Sequence, residues 1–308
     1  MDIMDNQNNV ALLGVSALLS QTWSIYKKRF WVFSGVMIIP IVVLIISTAL
    51  MAGGVLVWLT AFSSKFAISG ILLVPLMVLL FLIIFISQIW GQTALLYAVK
   101  DSQEKIGIKE SYEKGGHKLS SYVWVAILAG VITFGGFVLL IVPGLIFSVW
   151  FSMALFVLIA EDLTGMDALL KSKEYVRGKW GGVFWRTFFI GILYVIIYYV
   201  PTLILDFFKV PFAGQVVNLI SGLFLSPFIM TYLFLLYNNL KSLKGDVVLA
   251  PTKSTKIKFA LVGILGILFI PVILYFIVFL GLTAKQNMNY TTNSVPNIIL
   301  PPPPPKLQ

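Results

Sequence analysis

Cysteine is absent from all 308 residues. That excludes a disulfide framework, a thiolate metal site and a cysteine nucleophile, and redox chemistry says nothing about the compartment. Histidine is nearly absent: the single His117 stands beside Gly115 and Gly116 in a charged stretch without metal-ligand spacing, as expected of a solvated imidazole. Charge of either sign is scarce, at 11% of residues against about 25% in soluble domains. Walker A, G-x-S-x-G and H-E-x-x-H motifs are all missing. Neither catalysis nor a cofactor is expected from this inventory.

What the chain has in abundance is hydrocarbon: 59% of residues are hydrophobic and the mean hydropathy is +0.97. A helix needs about 20 apolar residues to cross a bilayer. Runs of that kind fall at about 31–53, 67–98, 121–142, 144–160, 187–205, 212–238 and 259–282. Their interiors hold no Asp, Glu, Lys, Arg or His, which argues against a proton relay or ion path. The expected fold is all-α: a polytopic helical membrane protein with a six-span core of three hairpins, cytoplasmic interfacial helices and a seventh, C-terminal span. The second run is too long for one perpendicular crossing and must tilt or project. Val142-Pro143-Gly144 is expected to turn the hairpin between the third and fourth runs, and prolines 40, 75, 201, 211, 227 and 271 to kink spans.

Formal net charge is +10, and its distribution gives an orientation. Lys27, Lys28 and Arg29, five lysines from Lys100 to Lys118, the bases from Lys171 to Arg186, and those from Lys241 to Lys258 fall on one side of the alternating spans. Only Lys65, Lys209, Lys285 and Lys306 fall on the other. By the positive-inside rule the N-terminus is cytoplasmic and the C-terminus extracytoplasmic. The protein is expected in the plasma (inner) membrane as a multi-pass protein with an uncleaved first span, its basic charge meeting anionic lipid rather than nucleic acid.

Domain limits follow the same pattern: 1–245 as a six-span membrane domain, 246–257 as a polar cytoplasmic linker, 258–284 as the seventh span and 285–308 as a disordered tail ending in five prolines. Within the core, a hydroxyl residue is three times followed seven positions later by a base and eight later by a large apolar residue: Thr22/Arg29/Phe30, Ser111/Lys118/Leu119 and Ser172/Lys179/Trp180. This is the pattern of a threefold parallel repeat, or of the basic flank carried by any span entered from the cytoplasm.

The densest charge lies at Glu161–Arg186. Thr164 with Asp167 fits a capping box, the Gly178, Gly181, Gly182 cluster a helix end, and Glu161-Asp162 the favourable end of a helix dipole. Between them Met166, Leu169, Leu170, Val176 and Trp180 share a helical side, which reads as a basic amphipathic interfacial helix. Lys171, Lys173, Arg177 and Lys179 on that helix are candidate contacts for anionic phospholipid headgroups, or simply topological anchors. Gln88 and Gln92 share a face within the second span, suited to interhelical hydrogen bonding or to a polar pathway. Ala126 and Gly130 form a small-x-x-x-small pair suited to close helix packing.

Val142-Pro143-Gly144-Leu145-Ile146, Ala154 to Glu161, Ala168-Leu169 with Ser172, and Val176-Arg177-Gly178-Lys179-Trp180 together resemble the membrane domain found beside glycerophosphoryl diester phosphodiesterases. They also resemble related bacterial inner-membrane families of unknown function. The resemblance covers about residues 10–245 and implies a six-span membrane domain without the separate catalytic barrel. It leads to the expectation of a non-enzymatic membrane protein acting in membrane or envelope maintenance through headgroup or partner contacts. The alternative is a transporter or permease for a neutral or lipid-related solute.

Overall fold

The structure is a computed structural model that describes residues 11–61, 68–102, 104–245, 247 and 253–293. The polar N-terminus, Lys65, most of 246–252 and the proline run lie outside the described residues. In chain order the helices are α1 (Val15–Ala61), α2 (Ile68–Lys100), α3 (Ile108–Gly116), α4 (Leu119–Leu139), α5 (Ile141–Phe151), α6 (Ala154–Glu161), α7 (Gly165–Val176), α8 (Trp180–Phe207), α9 (Ala213–Ile220), α10 (Ser226–Lys244) and α11 (Lys253–Asn293). One π-helical turn, Ser221–Leu225, joins α9 to α10. Among the described residues there is no strand. The fold is all-α, and seven stretches are long and apolar enough to cross a membrane.

Burial is concentrated at one end of the bundle. Ala94–Val99 of α2, Ala154 and Phe156–Ile159 of α6, most of α7 and much of α10 are buried together with Leu18, Phe33 and Val36 of α1. Beyond this core, α1 after Ile38, α2 from Val74 to Trp90, the outer half of α8 and most of α11 expose Leu, Ile, Val and Phe. Apolar surface of that extent is unstable in water and is what hydrocarbon solvates. At 47 residues, α1 is about 70 Å long, against a hydrocarbon core of about 30 Å, so it must tilt or project.

The hairpin between α4 and α5 turns earlier than the proline-glycine pair. Leu140 alone is extended, at φ −158 and ψ 139, and α5 begins at Ile141. Pro143 falls in the first turn of α5, where its missing N–H costs nothing. Gly144 is a packing site: a Cβ there would lie 2.3 Å from the Phe137 ring. The other glycine expectation changes similarly. Gly178, at φ +78, ends the segment after α7, whereas Gly181 and Gly182 lie inside α8. At the far end α11 begins inside the stretch read as linker and continues to Asn293, into the stretch read as tail. Ala126–Gly130 makes no close helix approach among the described residues, where nothing lies within 4 Å of a Cβ at Gly130. The close approach falls instead at Gly135 of α4, against Gly263 and Gly266 of α11.

The second and third entry units share a design. Ser111 on α3 and Ser172 on α7 are fully buried. Each short helix is followed by a turn in which a lysine closes back, Lys118 N–H to Gly115 O at 3.1 Å and Lys179 N–H to Val176 O at 2.9 Å. A span begins at the following residue. Thr22 is equally buried, but it lies within α1, which runs through Arg29 without a turn.

Pro40 sits inside α1 and cannot donate to the Val36 carbonyl. The Tyr112 hydroxyl supplies the missing donor at 2.8 Å, and burial pushes its pKa up to about 12. Tyr112→Phe should therefore cost about 1–3 kcal/mol in unfolding free energy, because it orphans a buried carbonyl. In a Pro40→Ala background, where an N–H is restored to the helix, the same substitution should cost markedly less. Equal costs in the two backgrounds would refute this role for Tyr112.

Candidate functional site

Glu161 ends α6 with its side chain turned inward, only 11% exposed. Its Oε1 accepts hydrogen bonds from the hydroxyls of Tyr175 and Tyr237, each at 2.6 Å, and lies 3.3 Å from Lys241 Nζ. Its Oε2 lies 3.4 Å from Lys171 Nζ. Lys171 and Tyr175 are one turn apart on α7, and Tyr237 and Lys241 one turn apart on α10, so each helix presents a Lys/Tyr pair on one face. Lys171 also donates to the Val247 carbonyl. Three donors crowd Oε1 and one reaches Oε2, so the carboxylate is held from both α7 and α10. Glu161 therefore joins three helices instead of serving a helix dipole as expected from Glu161-Asp162. Its neighbour Asp162 takes a left-handed conformation at φ +58 and pairs outward with Lys118. The hydrogen bond to Asp162 holds the Lys118 ammonium above the ordinary lysine range.

Around this centre runs a belt of bases, each holding the segment that leads into another helix. Arg29 of α1 donates to the Ile106 carbonyl ahead of α3. Lys118 reaches Asp162 ahead of α7. Arg186 of α8 donates to the Leu13 and Leu12 carbonyls ahead of α1, at 2.6 and 2.9 Å, while Asn239 Oδ1 accepts from the Leu13 N–H at 2.9 Å. Between α2 and α3, Lys114 pairs at 2.8 Å with the buried carboxylate of Asp101. Hydrogen bonds to Asp101 and Glu110 hold that ammonium well above its usual range.

The structure separates the four candidate headgroup bases. Lys171 is spent on Glu161. Lys173 lies 5.0 and 5.2 Å from the ring centroids of Trp150 and Phe259, where it ties α7 to α5 and α11 by cation–π contact. Arg177 and Lys179 are exposed. Lys244 donates to the Glu174 and Arg177 carbonyls at the end of α7, bringing a third base within electrostatic range of both, with Glu174 as the nearby acid. The apolar side of α7, expected to face lipid, is covered by protein: Leu169, Tyr175 and Val176 are fully buried. No capping box forms at its start, because Thr164 makes no side-chain cap and Asp167 pairs with Lys256 at 2.7 Å. Gln88 donates to the Pro40 carbonyl at 3.2 Å, an interhelical bond, and Gln92 lies half-buried one turn on. His117 is exposed.

An all-α bundle with seven membrane-length apolar helices and an ion-paired polar end defines a multi-pass integral membrane protein. Comparison of the chain with family models, with curated proteins and with solved structures returns no match.

Proposed function

We propose that the chain is a non-enzymatic bacterial plasma-membrane protein that engages anionic phospholipid headgroups at the corner between α7 and α8. The observation that carries this reading is the crowding of Arg177, Lys179 and Lys244 at the exposed end of α7, where among the described residues Glu174, 3.5 Å from Arg177, is the opposing acid. Each base near a membrane surface adds about 1 kcal/mol of attraction to anionic lipid. Resemblance to the membrane domain of glycerophosphoryl diester phosphodiesterases supports the same class, since that domain carries no chemistry of its own. Transport along the Gln88/Gln92 face has less support, because the Gln88 amide is committed to α1.

In nanodiscs, spin-labelled phosphatidylglycerol should be favoured over phosphatidylcholine at the protein boundary. Arg177→Gln and Lys179→Gln should each reduce that preference by about fivefold. A preference left intact by the double substitution overturns the reading.

The basic belt also sets the proposed orientation, with its side cytoplasmic, the N-terminus inside and the C-terminus outside. The absence of native cysteine makes this simple to test. The useful probes are the exposed positions His117→Cys and Phe208→Cys. In intact cells an impermeant thiol reagent should label position 208 and spare 117; the reverse pattern inverts the topology.

A further inference from the structure

A groove of about 780 Å³ opens between α1, α8 and the segment from α9 through the π turn into α10. One wall is aromatic and interlocked. Phe30 stacks on Phe224 at 5.7 Å and 8°, and Tyr26 meets Phe228 edge-on at 5.8 Å. The opposite wall is the aliphatic face of α8 from Leu193 to Leu205. The π turn departs from the regular helical path where it borders the groove, a feature that often marks functional sites.

Length and solvent together identify the occupant. From Leu193 to Leu205 the groove follows about 18 Å of helix, close to the roughly 15 Å depth of one leaflet's hydrocarbon. A water needs two to four polar partners, and a groove with this lining offers almost none. In a bilayer the solvent that suits such a lining is the hydrocarbon of a lipid chain. Charge complementarity adds the headgroup. Trp23 stands at one mouth with Lys27 Nζ 5.3 Å from its ring centroid, and Lys27 and Lys28 are both exposed. The whole of α1 carries no acid to neutralise them. An indole beside ammonium groups is suited to the boundary between acyl chain and phosphate.

We infer that this groove seats one acyl chain of an anionic phospholipid, with the headgroup held at Lys27 and Lys28. The site is separate from the Arg177/Lys179 corner, so either assignment can fail without the other.

The test uses purified full-length protein, stripped of loosely held lipid in detergent and examined by native mass spectrometry after addition of phosphatidylglycerol or phosphatidylcholine. Wild type should retain one phosphatidylglycerol per monomer. Ile197→Trp and Val217→Trp, which fill the groove from opposite walls, should each lower its occupancy by more than about tenfold. Tyr199→Trp, on the exposed face of α8, should leave occupancy unchanged and controls for the added indole. Lys27→Gln with Lys28→Gln should remove the preference for phosphatidylglycerol while leaving phosphatidylcholine retention as it was. Arg177→Gln with Lys179→Gln should change neither. Equal retention by the filled variants, or no retained lipid in wild type, overturns the proposal. So does a dimer that the filling substitutions abolish, because a second copy would then be the occupant. Thermal melting of each variant verifies that lost occupancy is not lost folding.

Discussion

Glu161→Ala should destabilise the protein by about 3–5 kcal/mol, the usual cost of removing one partner from a buried ion pair. The loss exceeds that of a surface salt bridge because Lys171 would remain with its charge in a site only 10% exposed, while two tyrosine hydroxyls lose their acceptor. Conversion to Gln should cost less, since an amide oxygen can still accept from Tyr175 or Tyr237. The combination Glu161→Leu with Lys171→Met should recover much of the deficit, because both charges leave together and their volume is replaced by hydrocarbon. Denaturant or thermal unfolding in a fixed detergent measures all three. If Glu161→Ala unfolds within about 1 kcal/mol of wild type, the carboxylate is not what joins α6, α7 and α10.

Gly266→Leu should detach α11 from α4. A Cβ at Gly266 would stand 2.1 Å from Gly135 Cα, and one at Gly135 would stand 2.6 Å from the Val262 carbonyl oxygen. These are contacts with backbone, so no change of rotamer relieves them, and the helices must separate by a side-chain layer. Small residues that allow such approach are the main source of helix association in lipid, where dispersion and packing replace the hydrophobic effect. The absence of native cysteine gives a clean readout. A Val131→Cys/Gly263→Cys pair should cross-link in the wild-type background, since a Cβ at 263 lies 2.8 Å from the Val131 side chain. With Gly266→Leu added, the cross-link should fall to background. Persistent cross-linking at wild-type rate would mean that the glycines are not what sets the α4–α11 distance.

The sequence made the spans legible because hydrocarbon length is a local property: seven apolar runs became seven membrane-length helices. It also made Ser111 and Ser172 visible as recurring positions, and both are fully buried. What it could not show were properties that depend on which helices meet. Glu161 looked like a dipole residue because its four partners lie on two other helices, one of them 76 positions away. The only sequence trace of the network is the one-turn spacing of Lys171 with Tyr175 and of Tyr237 with Lys241, and spacing alone does not reveal that the two pairs face each other. Lys171 and Lys173 failed to stand out from Arg177 and Lys179 for the same reason. The α4–α5 turn was misplaced because proline-glycine suits both a turn and the first turn of a helix, and only the Phe137 ring against Gly144 decides between them. The glycine contact of α4 with α11 was missed because Gly135 and Gly266 are separated along the chain by six other helices.

The hold of Arg186 and Asn239 on Leu12 and Leu13 has a consequence for biosynthesis. The Leu13 N–H and its Asn239 acceptor are 226 positions apart. At translation rates of 5–20 residues per second the first must wait on the order of ten seconds or more for the second to be made. During that interval the lead-in to the first helix has Arg186 as its partner at the Leu12 and Leu13 carbonyls, but the Leu13 N–H still lacks its Asn239 acceptor. Once made, Asn239 on α10 joins the last hairpin of the core to the lead-in to α1, across nearly the whole six-span length. A nascent chain interrupted before Asn239 would already have most of its apolar spans, yet it would lack the side chain that ties α10 to the Leu13 N–H.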